Sequence, residues 1–306
     1  MDPLNYQYYF AQRPNQYSFF RKHAYTILTG SVVVGLIGLT LLQGSPSNAE
    51  APQLNAEQIL ALKEQEEPSY QLIEPTLVTN SGFSKGSCPT STNKITGATL
   101  LSPINKEASV GDYVPPNLVE IHGKIPTLGG KEVCLEETTA FYLKQLFGAA
   151  ERDGIKLLVM SGYRSPHYQL DLYNDAIEEK GYVGTLRVAP PYHSEHHINA
   201  VDFTTDEIMA SGGDLSATLE GRWLIKNAPT YGFVMSYPKG KEEITGYQHE
   251  DWHWKFIGIE NAQLVQSTGL TFHELATNPT TKIITKSETS KEYVSDEQIG
   301  EVEIGG

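Results

Sequence analysis

Five of the nine histidines fall in two short windows, His193–His197 and His249–His253. Carboxylates sit in or beside both: Glu195 and Asp202 with the first, Glu250 and Asp251 with the second. Imidazole plus carboxylate is the donor set of a hydrolytic zinc centre, which takes three protein ligands and leaves a position for water. Such a centre also needs a carboxylate that is not a ligand, to take the proton of that water. Each window alone has a plainer reading, as a solvated His-rich loop or as a Trp-His-Trp strand packed in a core. Residues three apart on a regular strand point to opposite faces, so Glu250 can join His253 only if the strand starts near Trp252 and Glu250 lies in the preceding turn. Arg164 is a further candidate. It follows Ser161-Gly162-Tyr163 and precedes Ser165-Pro166, an N-cap with proline at the first helical position, where a carboxylate or oxyanion is naturally held. A surface ion pair is the plainer account of that arginine.

The elements that must position these residues are legible from periodicity. Ala140, Leu143, Phe147 and Ala150 form one apolar stripe and predict a helix over 136–152, stopped by Asp153-Gly154. Residues 155–160 read as a buried strand, and a second helix opens at Ser165-Pro166 and runs to about Lys180. A short strand follows over 200–203, a helix over 217–227 and a strand over 231–237. After the Pro238-Lys239-Gly240 turn, Trp252, Trp254 and Phe256 alternate with His253, Lys255 and Ile257, a period-two strand. Helices and short strands joined by tight turns predict an α+β fold with a mainly antiparallel sheet.

The formal charge is −14, which argues against nucleic acid and polybasic membrane surfaces as partners. Apolar residues make up 39% of the 306, too many for global disorder. Residues 24–42 form an uncharged apolar run just after Arg21-Lys22. At about 1.5 Å per residue it is ~28 Å long, close to a bilayer's hydrocarbon thickness. It reads as an uncleaved signal anchor, or alternatively as a signal peptide cut after Ser47-Asn48-Ala49. Either way the positive-inside rule sends the rest of the chain out of the cytoplasm. A Cys88–Cys134 disulfide is chemically permitted there, and two buried thiols are the alternative.

Three ordered segments resemble one known family. Ser161-Gly162-Tyr163-Arg164-Ser165 with Gln169, Ser194-Glu195-His196…Ala200-Val201-Asp202, and Glu250-Asp251-Trp252-His253 resemble the SGYRS…Q, S-x-H…A-x-D and E-x-W-H segments of VanY-type D-alanyl-D-alanine carboxypeptidases. These are zinc peptidases of the group that includes the hedgehog signalling domain. The connecting stretches Glu220–Phe233 and Ile244–Tyr247 resemble the family too, and the similarity spans about Val114 to Leu275.

The resemblance implies a mainly antiparallel central sheet flanked by helices, with the zinc site on the sheet. It implies zinc held by His196, Asp202 and His253, and Glu250 as general base and later general acid. Arg164 would bind substrate and stabilise the oxyanion, and Gln169 and Ser194 would hold the substrate's terminal carboxylate. The implied reaction removes C-terminal D-alanine from a peptidoglycan stem peptide. L,D-carboxypeptidase, L-Ala-D-Glu endopeptidase and a non-catalytic cell-wall binding module on the same fold are the alternatives. The expected layout is a cytoplasmic N-terminus over 1–23, a transmembrane anchor over 24–42, an extracytoplasmic stalk over 43–97, the zinc peptidase domain over 98–276 and a disordered acidic tail over 277–306.

One departure bears on the ligands. The family pattern has six residues, one a glycine, between the ligand His and Asp, whereas five lie between His196 and Asp202 and none is glycine. Asn199 in a positive-φ conformation would replace the glycine turn. The alternative moves the ligand to His197. Asp251 stands where the family usually has proline, and reads as a partner for a ligand imidazole or as a solvent-exposed acid. His193 reads as a loop residue.

Overall fold

The computed structural model describes residues 69–90, 98–111 and 113–284. The expected transmembrane segment over 24–42 and most of the expected tail lie outside the described residues. Among those described, no helix is long and apolar enough to cross a membrane. In chain order the elements are β1 (Gln71–Ile73), β2 (Leu118–Glu120), β3 (Cys134–Glu136), α1 (Glu137–Arg152), β4 (Leu158–Ser161), α2 (Pro166–Lys180), β5 (Ala200–Thr204), α3 (Asp206–Ser211), α4 (Leu219–Asn227), β6 (Phe233–Tyr237), α5 (Glu242–Thr245), β7 (Glu250–Phe256), α6 (Ile259–Thr268), α7 (Phe272–Thr277) and β8 (Lys282–Ile284).

The central sheet has the order β4-β5-β7-β6, and every neighbouring pair is antiparallel, as the sequence pattern predicts. Period-two alternation divides it into two faces. Val201 and Phe203 on β5, with Trp254 and Phe256 on β7, face α1: Tyr142 stacks on Phe256 with ring centroids 5.0 Å apart, and Phe147 meets Phe203 at 6.1 Å. The alternate positions, Asp202 on β5 and His253 on β7, form a direct cross-strand pair on the opposite face. The apolar alternation that buries the core thus also sets the polar residues beside one another.

The helices begin and end where local chemistry dictates. Glu136 caps α1 by accepting from the Thr138 and Thr139 amides. Ser165 caps α2 by accepting from the Tyr168 amide, Pro166 takes the first turn, and Gly181 at φ 59° ends it. The strand expected over 155–160 instead spans Leu158–Ser161, because the chain pairs with β5 only from Leu158 on.

The packed domain extends beyond the expected boundaries of 98 and 276. β1 pairs in parallel with β8, so residues 69–90, expected in the stalk, lie on the domain. Leu72 is fully buried in a second apolar cluster with Leu101, Val234, Ile257, Phe272 and Leu275, and that burial draws both ends of the domain in. Cys88 and Cys134 are joined by a disulfide, tying the same N-terminal segment to β3.

Candidate metal centre and catalytic site

His196, Asp202 and His253 present one ligand atom each within 4.8 Å of one another, and all three are buried. Each arrives by a different route. Asp202 and His253 come from paired strands. His196 comes from a 3-10 turn, Glu195–His197, that feeds directly into β5. That turn is pinned to the end of β4: the Arg164 amide donates to the His196 carbonyl at 3.0 Å, and His196 Nδ1 donates to the Gly162 carbonyl at 2.7 Å. Gly162 has no substitute there, since a Cβ would lie 2.6 Å from the Cys134 carbonyl oxygen and 2.7 Å from Val133 Cγ1.

The protonation pattern points to a cation. Because a carbonyl only accepts, His196 Nδ1 carries the ring proton and Nε2 carries the lone pair. Nε2 is buried without a hydrogen-bond partner, yet Asp202 Oδ2 lies 3.2 Å away. Two acceptors face each other in a dry site, and a metal ion between them satisfies both. Burial, then the Arg164 guanidinium, holds the His196 imidazole down at about 4, so it stays neutral and fit to ligate. Burial works against ionisation of Asp202, but His196 and Arg164 keep its carboxyl well below the usual range. Burial also opposes charge on His253, yet its hydrogen bonds to Asp202 and Glu195 outweigh burial and raise it to about 10. With two imidazoles, one carboxylate and no thiolate, the donor set fits zinc at a three-ligand hydrolytic site.

His197 is satisfied without a metal. Its Nδ1 donates to the Arg164 carbonyl at 2.8 Å and its Nε2 accepts from the Tyr192 amide at 3.0 Å. The shorter ligand segment therefore leaves His196 in place. It does so without the expected positive φ at Asn199: the only non-glycine residues with positive φ among those described are Asn80 and Tyr192. The 3-10 turn spans the distance instead, and the Asn199 amide group clamps the Leu100 and Phe256 carbonyls. His193 is a loop residue, with Nδ1 donating to the Asn105 carbonyl at 2.8 Å.

Glu250 is the first residue of β7 and not part of a preceding turn. The alternation that would turn it away from His253 is broken by a bulge. On β6, Met235 and Tyr237 are two residues apart, while their β7 partners Trp254 and Glu250 are four apart. Strict alternation does not hold across that irregularity, and Glu250 interacts electrostatically with His253 and Asp202. Burial pushes its carboxyl up to about 7, opposed by His253 and reinforced by Asp202. A carboxyl near neutrality beside a metal trio is suited to accept and return a proton.

Arg164 lies at the β4–α2 junction, as expected. Its Nη2 donates to Asp202 Oδ2 at 2.7 Å and its Nε to Ser161 Oγ at 3.0 Å. Gln169 is buried, but its Nε2 donates to the Ala189 carbonyl at 2.8 Å, bracing the loop that leads to Ser194. Its Oε1 is buried without a partner. Ser194 caps the 3-10 turn by accepting from the His196 amide. Asp251 fits neither expectation: it is 2% exposed, and its Oδ2 accepts from the Ser216 amide at 2.8 Å instead of meeting a ligand imidazole.

Sequence reasoning noted Glu195 only as an acid near the histidines. It is buried, with Oε2 3.1 Å from His253 Nε2 and Oε1 3.4 Å from Lys255 Nζ. Lys255 was likewise missed, although its place two residues after His253 puts it on the same face of β7. Tyr237 stacks on the His253 ring at 4.9 Å.

Residues 132–259 match the family model of VanY, D-alanyl-D-alanine carboxypeptidase. Over 184 residues the chain is 33% identical to the putative carboxypeptidase YodJ of Bacillus subtilis, covering 57% of this chain and 66% of that one. Over 144 residues it is 37% identical to a D-alanyl-D-alanine carboxypeptidase of Enterococcus faecalis, covering 44% of this chain and 52% of that one. The match thus spans about half to two thirds of these relatives' lengths. The solved structure of the LdcB LD-carboxypeptidase superposes with a TM-score of 0.54 at 28% identity, covering 68% of this chain and 99% of that one. The matched residues 132–259 hold Arg164, the metal trio and Glu250, and on these grounds the chain belongs to the VanY family of D-alanyl-D-alanine carboxypeptidases.

Proposed function

We propose that this protein is a zinc carboxypeptidase that removes the C-terminal D-alanine of peptidoglycan stem peptides on the extracytoplasmic side of a membrane. The observation that carries the reading is the buried His196 lone pair set against Asp202, with the raised carboxyl of Glu250 in the same enclosure. His196, Asp202 and His253 would hold the ion. Zinc held there supplies Lewis-acid polarisation of a carbonyl and eases deprotonation of water. Glu250 accepts the proton of the hydrolytic water and returns it to the leaving amine. Arg164 is poised to stabilise the negative charge that develops on the scissile carbonyl oxygen. The membrane anchor over 24–42 and the outward location rest on the apolar run and the flanking Arg21-Lys22.

A second reading, L,D-carboxypeptidase, is favoured by the coverage of nearly all of LdcB. Mass spectrometry of synthetic stem peptides incubated with the full-length zinc-loaded protein decides between them. Loss of one alanine from the pentapeptide supports the D,D reading, and trimming of the tetrapeptide alone supports the L,D reading. Two untouched peptides, with zinc bound, would refute the enzymatic reading.

A further inference from the structure

Glu195 has no part in the proposed reaction, yet it is the most heavily engaged acid beside the centre. It is carried by the 3-10 turn that also carries His196, and its carboxylate reaches across to β7. Oε2 accepts from His253 Nε2 at 3.1 Å, and Oε1 lies 3.4 Å from Lys255 Nζ. Lys255 is fully buried, donates to the Ser102 carbonyl at 2.9 Å and sits 4.7 Å over the Phe272 ring. His253 and Lys255 are two apart on one strand, so one carboxylate faces both.

An ionised carboxylate only accepts, so the proton on His253 Nε2 is held in place. Nδ1 instead lies 3.0 Å from Asp202 Oδ1, a member of the metal trio, so it faces the metal side and its proton is the one a bound ion displaces. Resting on the zinc reading above, we infer that Glu195 is a positioning residue that fixes His253 with Nε2 protonated and Nδ1 turned to the metal, and that buried Lys255 holds Glu195 there. Carboxylate partners of ligand histidines raise their basicity and fix their tautomer, and losing one weakens metal affinity by about 10–100-fold.

The test uses the full-length protein as wild type, E195Q, E195A and the double variant E195A/K255M. The double variant also removes the buried ammonium that E195A alone would leave unmatched, so a folding defect of the single variant does not end the test. Zinc affinity is read by chelator competition, and the His253 tautomer by ¹⁵N NMR of the zinc-loaded protein. The expected result is a zinc dissociation constant raised about 10–100-fold in E195A/K255M and less in E195Q, which keeps an acceptor for Nε2–H. The His253 signals of wild type should report Nε2–H. Zinc binding within twofold of wild type in the folded double variant, or a wild-type His253 protonated at Nδ1, would overturn the inference while leaving the zinc site standing. Failure of the wild type itself to bind zinc would overturn both.

Discussion

Glu250 is ionisable, buried and held near neutrality, so its cost to the fold depends on pH. Its carboxyl sits at about 7 against an ordinary 4.5, with burial as the main cause. A raised carboxyl pKa means that ionisation favours the unfolded chain. The stabilising contribution is complete below pH 4.5 and is lost as pH rises through 7. Between pH 5 and pH 8 the loss is about 2–3 kcal/mol, from a shift of about 2.5 units at ~1.4 kcal/mol each, less the part already lost at pH 5. E250Q keeps the shape and removes the titration. The assay is thermal unfolding of metal-free wild type and E250Q across that range, because groups common to both cancel in the difference. E250Q should gain on wild type by about 5–10 °C in Tm between pH 5 and pH 8, at ~2–4 °C per kcal/mol for a domain of this size. Parallel Tm curves would refute the claim that Glu250 is buried and raised, and with it the argument for its poise as a base. In the zinc-loaded protein the same substitution should abolish turnover while zinc stays bound.

Other outcomes follow from the same geometry. H253A should lose zinc by metal analysis. H197A should keep zinc but lower stability by about 1–3 kcal/mol, since it strands the Tyr192 amide and the Arg164 carbonyl. Retention of zinc by H253A would remove His253 from the ligand set, and its loss in H197A would move that ligand from His196 to His197. Tyr192 holds φ at 70°, fixed by its amide on His197 and by its carbonyl, which accepts from the Val110 amide at 2.9 Å. Y192G should therefore raise stability by about 1 kcal/mol in denaturant unfolding, and a loss would show that the ring contributes more than the strain costs.

The sequence by itself carried most of the elements, and its resemblance to the VanY family carried the candidate ligands. Period-two alternation of Trp252, Trp254 and Phe256 against His253 and Lys255 placed the metal face of β7. Ser165-Pro166 opened α2, expected to run to about Lys180, and the ordered Arg164, His196, Asp202, Glu250 and His253 motifs pointed to a zinc peptidase through their resemblance to the family. These are local signals, in which a residue's type and its neighbours a few positions away suffice.

What the tertiary structure decided is long-range. His196 was separated from His197 only by their partners, because the Gly162 carbonyl, the Arg164 carbonyl and the Tyr192 amide come together only in the folded chain. Glu250 opens β7 at an irregularity in the β6–β7 register, where strand alternation does not fix which groups it meets. Residues 69–90 became part of the domain because Leu72 and the Cys88–Cys134 bridge found partners far along the chain. Glu195 and Lys255 gained meaning only when burial removed water as a partner. A charged pair without solvent must be matched by protein groups, and which groups those are depends on how distant strands meet.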